Sequence, residues 1–338
     1  MDGKGISGAI VGASALLGKE LSDELNESQT VTWDLRLFDA ESSGGTITSA
    51  GDEALVIQPV SRDSFSGIDV VFFAGEPSTA LEYWKPARAA GASIVDLTGA
   101  LTAQPGLLVR SPLIEGGVRP DLTTPAEEAA HPAAVMLAMA ATKLLPLGMR
   151  RMAVTILQPA SQAGNAGVEE LHKQTVGLLS FQPLKKEIYD AQVAFNLTAA
   201  LGETSTVDLQ KAAQKIQKQI AAIAPSLPED TLSLQLLQAP VFHGYTASVF
   251  IELADEVNAE TVRKALSAGQ SPLQEDESPS NETAAGKGEV LFRIAPGFVT
   301  AGKTFWLFLA ADNLRLAARN AAACALELTQ LRPVSGIQ

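Results

Sequence analysis

Gly8-Ala9-Ile10-Val11-Gly12-Ala13-Ser14-Ala15-Leu16-Leu17-Gly18 is the stretch that decides the fold. A short apolar run ends in glycine, and leucines then recur at 16, 17, 21 and 25 along one face of a helix. The reading is strand, tight turn, helix. Gly12 and Gly18 stand at the first and last positions of a G-x-x-G-x-x-G pattern. In that context such a loop brings backbone N–H groups and a helix N-terminus against a pyrophosphate. Ala15 holds the middle position, where its methyl narrows the approach of a phosphate. Gly12, Ser14, Ala15 and Gly18 are therefore candidate dinucleotide contacts, the alternative being a plain tight turn.

Working outward, Val31 to Phe38 alternates like a strand and ends at Asp39, roughly 20 residues past the loop. A carboxylate there accepts hydrogen bonds from an adenosine ribose and favours NAD over NADP, or it starts the following turn. Ile68 to Gly75 and Ser93 to Leu97 have the continuous hydrophobicity of buried parallel strands, and Gly75 lets the backbone approach a dinucleotide. Strands alternating with helices over residues 1–130 predict an α/β, doubly wound parallel sheet. From Met152 the pattern changes to the strand-like runs 152–157, 233–241, 246–253 and 304–310, with helices over 168–179 and 207–224. These predict a second, α+β domain over 131–311. The polar, acidic, proline-bearing segment 267–288 reads as a mobile loop, and a helix at 313–331 closes the chain.

The chain has 338 residues, 46% of them hydrophobic, which is enough for about two domains with full cores. Its net charge of −13 repels nucleic-acid phosphates and anionic lipid, so the expected partners are small molecules or proteins. The single cysteine, Cys324, excludes an intramolecular disulfide and any multi-cysteine metal site. His131, His172 and His243 lack metal-ligand spacing, so no metal is expected. No run reaches the length of a membrane span, and the sequence predicts a cytoplasmic protein.

Further markers follow in order. They are Gln158-Pro159-Ala160-Ser161-Gln162-Ala163-Gly164-Asn165-Ala166-Gly167, Gln192-Val193-Ala194-Phe195-Asn196, Pro240-Val241-Phe242-His243-Gly244 and Asp312-Asn313-Leu314-Arg315. With the glycine loop, they make the chain resemble the aspartate-semialdehyde dehydrogenase family over nearly its whole length. The resemblance implies a Rossmann-like domain over 1–130 completed by the C-terminal helix of residues 312–338, and a catalytic and dimerisation domain in a homodimer. It also implies a reaction. A cysteine thiolate attacks the aldehyde, a histidine handles the proton, hydride passes to nicotinamide, and phosphate releases the acyl group. Arginines bind the substrate carboxylate and the phosphate.

Carried over position by position, the resemblance finds those groups replaced. Counting back without gaps from Gln158, the cysteine slot falls on His131. The histidine slot holds Tyr245, a phenol of pKa ~10. The two anion-binding arginine slots hold Gln238 and Thr102, and the arginine that meets a 2′-phosphate becomes Glu41, which disfavours NADP a second time. Gly12, Gly18, Gly75, Gln158, Asn313 and Arg315 match. Asp208 and Lys211 have the spacing of a substrate-binding pair or of an exposed ion pair.

The candidate catalytic residues are thus His131, Gln158 and Tyr245, with Gly12, Ser14, Ala15, Gly18, Asp39, Gly75 and Asn313 for the cofactor. The leading expectation is a family homologue without phosphorylating dehydrogenase activity. The alternatives are an NAD-dependent oxidoreductase with altered catalytic residues and a protein with no ligand. On the loop reading, Gly12→Val removes NAD binding and leaves the protein folded.

Overall fold

The apolar run of the glycine loop is strand β1 (Ile6–Val11), and the leucine face that follows is helix α1 (Leu16–Asn26). Next come β2 (Trp33–Asp39), the antiparallel hairpin of β3 (Ile47–Ala50) and β4 (Glu53–Val56), then β5 (Gln58–Pro59), β6 (Val70–Phe73), α2 (Pro77–Ala89), β7 (Ser93–Asp96), β8 (Leu108–Arg110) and β9 (Glu127–Ala129). This computed structural model describes residues 5–40, 47–50, 53–297 and 302–331. Glu41 lies outside the described residues.

Seven strands form one sheet in the order β5-β2-β1-β6-β7-β9-β8, and every pairing is parallel. Successive residues of a strand point to opposite faces, and this sheet is buried on both. Val71 and Phe73 pack with Ala80, Trp84 and Ala87 of α2. Val70 and Phe72 face the other way, with Leu21 and Leu25 of α1. The doubly wound sheet is as expected from the alternation of elements.

The second half holds α3 (Pro132–Leu144), β10 (Met149–Gln158), α4 (Gly164–Leu179), α5 (Leu209–Ile223), β11 (Leu232–Gln238) and β12 (Tyr245–Leu253). It continues with α6 (Ala259–Leu266), β13 (Gln274–Glu275), α7 (Asn281–Ala284), β14 (Leu291–Pro296) and β15 (Thr304–Ala311), and the chain reaches α8 (Asn313–Gln330). The sheet runs β11-β10-β12-β15-β14-β13 and is mixed: β10 pairs β11 in parallel and β12 antiparallel. Along β12 and β15, buried Val249, Ile251, Leu307 and Leu309 alternate with part-exposed Phe250 and Phe308 and exposed Trp306. One face therefore packs inward, and the other carries Phe250 edge-on to Trp306 at 5.3 Å.

Two sequence expectations need correction. The segment 267–288 is not featureless: β13 adds to β14, and α7 is closed by a capping box between Ser280 and Thr283. Its serines act as caps, which composition alone does not distinguish from loop residues. Strand β14 was missed. Only six residues long and ending in Pro296, it has cross-strand partners such as Phe292–Leu309 on β15.

The chain divides into two compact units, Met1–Pro112 with Gly117–His131 and Ala317–Gln338, and Leu113–Gly116 with Pro132–Leu316. Within the first, Ala318, Ala321, Cys324, Ala325 and Leu328 of α8 join the core that contains Ile10, Leu21 and Phe72. Within the second, buried Glu170 and Gln174 of α4 clasp the excursion that follows. The Gln174 carboxamide donates to the carbonyls of Lys185 and Ala191, both at 3.0 Å, and accepts from Val193 N–H at 2.8 Å. Glu170 accepts from Ile188 N–H at 2.6 Å.

Three glycines of the first unit meet backbone to backbone. A Cβ on Gly12, whose φ is +94°, would lie 2.2 Å from Gly75 N, and one on Gly18 would lie 2.1 Å from Gly12 O. Gly12→Val therefore cannot leave the fold intact, contrary to the sequence expectation, because the direction a side chain would take is filled by the Gly75 backbone. Even Gly12→Ala combines a left-handed φ with backbone overlap, and it is expected to lower stability by about 3 kcal/mol or more. Urea unfolding monitored by circular dichroism tests this; an unchanged midpoint would contradict the packing described.

Candidate functional site

The order of the first sheet reverses between β1 and β6, because the chain leaves β1 towards β2 on one side and later builds β6 and β7 on the other. Such a switch point opens a crevice beyond the carboxyl ends of the two strands, where ligands of open α/β sheets bind. Gly12 follows β1 and Gly75 follows β6, so both candidates stand at that point.

The loop is held by its own hydrogen bonds. Gly12 N–H and Ala13 N–H both donate to Phe38 O, at 2.9 and 3.1 Å, and Ala15 N–H donates to Gly12 O at 3.1 Å. Ala15 is the N-cap of α1 in ordinary extended backbone, φ −68°, so no glycine is needed there. No side chain caps this helix and no acid sits in its first turn. Its first N–H groups are thus available to an anion, and the helix dipole favours one.

Asp39 closes β2 and ties the loop down. Its Oδ2 accepts from Ser14 N–H at 3.0 Å and from the Ser14 hydroxyl, and its Oδ1 accepts from Ala40 N–H at 2.9 Å. Neither sequence reading foresaw the Ser14 clasp. A carboxylate has about four lone-pair sites, so this clasp leaves room for a ribose hydroxyl. The loop, the uncapped helix and this carboxylate fit a dinucleotide.

In the same unit, the exposed Thr102 places its hydroxyl 2.6 Å from Glu128 Oε2 and 2.7 Å from Gly99 O, either of which can accept its one proton. Buried Asp96 fastens the preceding turn through Thr98 N–H at 2.8 Å and Leu101 N–H at 2.9 Å, and burial pushes its carboxyl above the usual range. The Thr102 hydroxyl thus has its acceptors within the protein. His131 is half-buried and immediately precedes α3.

In the second unit, Gln158, Gln238 and Tyr245 form one buried network at the ends of β10, β11 and β12. The Tyr245 hydroxyl donates to Gln158 Oε1 at 3.4 Å, and Gln158 Nε2 donates to Gln238 Oε1 at 3.3 Å. Gln238 Nε2 donates to the carbonyls of Gln158 and Ala239, both at 3.1 Å. The Tyr245 side chain has no exposure, and burial raises its phenol well above the ordinary value. Tyr245 is therefore a buried donor held in its neutral form.

Asn313 Oδ1 accepts from Gly244 N–H at 2.8 Å and from the Ser161 hydroxyl at 3.2 Å. It pins the turn before β12 to the segment after β10. Asp208 proves to be the N-cap of α5, accepting from the N–H groups of Gln210 and Lys211, with an ion pair to Lys211 at 3.1 Å. His172 and His243 are exposed, and Cys324 is fully buried with its thiol pushed up by desolvation. Among the described residues no cluster of His, Cys, Asp and Glu has the makings of a metal site, and no helix is long and apolar enough to cross a membrane.

Comparison with known proteins gives this arrangement a family. The model of the semialdehyde dehydrogenase NAD binding domain matches residues 8–142, and that of the semialdehyde dehydrogenase dimerisation domain matches residues 142–316. The chain belongs to the semialdehyde dehydrogenase family. A USG-1 protein homolog from Azotobacter vinelandii is 30% identical over 333 residues, covering 96% of each chain. The aspartate-semialdehyde dehydrogenase of Prochlorococcus marinus is 26% identical over 334 residues, covering 96% of this chain and 94% of that one. The solved structure of a probable aspartate-semialdehyde dehydrogenase from Pseudomonas aeruginosa matches with a TM-score of 0.83 at 26% identity, covering 96% and 98%.

Within this semialdehyde dehydrogenase fold, two of the three tyrosines, Tyr189 and Tyr245, are buried and raised in pKa by desolvation. Ultraviolet titration of the folded protein to pH 11 is expected to leave both un-ionised, their phenolate absorbance emerging only on unfolding. Tyr245→Phe should cost about 1 kcal/mol, the net value of one hydrogen bond. Phenolate from Tyr245 below pH 10 in the folded protein would overturn the assignment.

Proposed function

We propose that this protein is a dinucleotide-binding semialdehyde dehydrogenase homologue that has lost phosphorylating dehydrogenase chemistry and acts as a binding or regulatory homodimer. One observation carries the reading. Of the slots that the resemblance gives to the family's reactive groups, Tyr245 and Gln238 lie in a closed hydrogen-bond network and Thr102 is bonded to Glu128. The only cysteine, Cys324, is buried in α8. Loss of a general acid/base alone costs about 10²–10⁴ in rate, or ~3–5 kcal/mol of transition-state stabilisation. Here the nucleophile and both anion-binding arginines are replaced as well.

When bound, nicotinamide supplies a hydride acceptor. The chain's own part is to hold it: N–H groups at the start of α1 for the pyrophosphate, Asp39 for the ribose, and Gly12 and Gly75 at the switch point. Asp39 carries the preference for NAD, since a 2′-phosphate beside a carboxylate is repelled. Its charge is better suited to an unmodified ribose. A small-molecule ligand belongs to this reading, as does a homodimer through the sheet face that carries Phe250 and Trp306.

A second reading, an NAD-dependent oxidoreductase of altered chemistry, draws on His131. This half-buried imidazole lies at the start of α3, and a histidine ring nitrogen can accept and return a proton. Nicotinamide absorbance with aspartate semialdehyde and phosphate separates the two. No turnover is expected with NAD or NADP, while calorimetric titration shows NAD binding at least about tenfold tighter than NADP and sedimentation gives a dimer mass. Turnover by the unmodified protein establishes the second reading, and absence of binding by either dinucleotide removes both.

A further inference from the structure

A buried charged cluster lies under the C-terminal helix, within the first unit and outside every residue assigned above. Arg110, at the end of β8, is almost fully buried and forms a two-pronged ion pair with Glu327 of α8: Nε to Oε2 at 2.6 Å and Nη2 to Oε1 at 2.8 Å. Its remaining nitrogen, Nη1, is buried and has no hydrogen bond. On the neighbouring strand β9, Glu127 has no exposure at all, and neither of its carboxyl oxygens has a partner that meets hydrogen-bond geometry. The groups acting on Glu127 are Arg110 from β8 and Glu327 and Cys324 from α8. Exposed Arg119 stands 3.9 Å from Glu327 on the outer side. The fully buried Cys324 thiol donates to Arg110 O at 3.7 Å and leaves Glu127 at most a share of a weak S–H.

An unpaired guanidinium nitrogen and an unpaired carboxyl inside one dry cluster call for an explanation. Two carboxylates compete for one cation. An ionised Glu127 would be a buried charge without a donor, and its nearest remedy is the free edge of Arg110. A neutral Glu127 makes no such demand and leaves the guanidinium to Glu327. The surroundings favour the neutral acid: desolvation dominates, Glu327 adds like-charge repulsion, and together they push the carboxyl up to about 8. This lies close to physiological pH, so the cluster changes charge where a cell's pH can act on it.

We propose that Arg110 is a pH-set clasp on the C-terminal helix: with Glu127 neutral it holds Glu327 and docks α8, and with Glu127 ionised it is drawn to β9 and α8 loosens from the sheet. The readout lies in the core, because α8 shares its packing with β1 and α1, the elements that carry the glycine loop.

The sign follows from proton counting. In the unfolded chain Glu127 loses its proton near 4.5 and in the fold near 8. Between those values the native state binds the extra proton, so stability falls as pH rises through that window and levels off above it. Hydrogen exchange of the α8 amides, measured at pH 6.5 and pH 9 and corrected for intrinsic rates, tests the clasp. The unmodified protein is expected to lose protection in α8 by about tenfold or more at the higher pH. Glu127→Gln, which mimics the neutral acid, should keep its protection at both. Glu327→Gln should be loosened at both. A direct measurement needs no variant to fold: the infrared C=O band of a protonated, buried carboxylic acid should be present at pH 6.5 and gone at pH 9.5. Equal loss of α8 protection in the unmodified protein and in Glu127→Gln would overturn the proposal, as would absence of that band at pH 6.5.

Discussion

The meeting of Gly12 and Gly75 is the constraint on which the first unit turns. Their backbones approach so closely that a single methyl on either would overlap the other. The contact fixes where β1 and β6 end, and with it the point at which the strand order reverses. Gly18 repeats the device one step later by letting α1 start directly against Gly12 O. Only residues without a side chain permit this spacing, and the φ of Gly12 would be strained in any other. The start of α1, left without a side-chain cap, is therefore placed by backbone packing rather than by a hydrogen bond of its own. The Asp39 clasp on Ser14 completes the loop from the adjacent strand.

The second unit solves a different problem, that of polar groups at the buried ends of three neighbouring strands. Gln158, Gln238 and Tyr245 answer it by bonding to one another and to the backbone. Amides and a phenol in such a place stay neutral, so no charge has to be carried into a region of low dielectric. This is stable, and it is chemically quiet: none of the three offers a basic lone pair at neutral pH. A histidine or an arginine at these positions would bring either a titratable ring or a permanent charge, each needing a ligand or a counter-ion. The network needs neither.

What the sequence made legible follows from how locally each feature is encoded. The apolar run to Gly12 and the leucines of α1 announce strand, turn and helix within twenty residues, and β6 and β7 stand out because burial on both faces makes them continuously hydrophobic. Strand β14 is short, part-exposed and ends in proline, and its identity depends on β15 beside it. The caps of α7 were hidden because Ser280 and Thr283 look the same in a loop as in a capping box. At the candidate site, Gly12, Gly75 and Asp39 are legible as the residues at the ends of β1, β6 and β2, yet the Ser14 clasp needs two strands aligned before it exists. Asp208 shows a reading left open by spacing: with Lys211 it suited a substrate pair or an exposed ion pair, and the structure has the exposed ion pair while the same carboxylate caps α5. The one local signal left unread was Glu127-Glu128, two acids inside the otherwise apolar run from Ala126 to Ala130.

These placements divide the matching positions from the replaced ones by what each side chain touches. Gly12, Gly18 and Gly75 act on backbone, Asn313 holds Gly244 N–H and the Ser161 hydroxyl, and Gln158 joins β10 to β11 and β12. Each does work in the fold whether or not a substrate is present, and removing it leaves a clash or an unpaired buried group. A nucleophile, a proton carrier or an anion-binding arginine does the opposite: it holds a reactive or charged group open for a ligand, at a cost to the folded state. Tyr245 and Thr102 instead find their partners within the protein, Tyr245 in Gln158 and Thr102 in Gly99 O or Glu128, so neither needs a ligand to be satisfied.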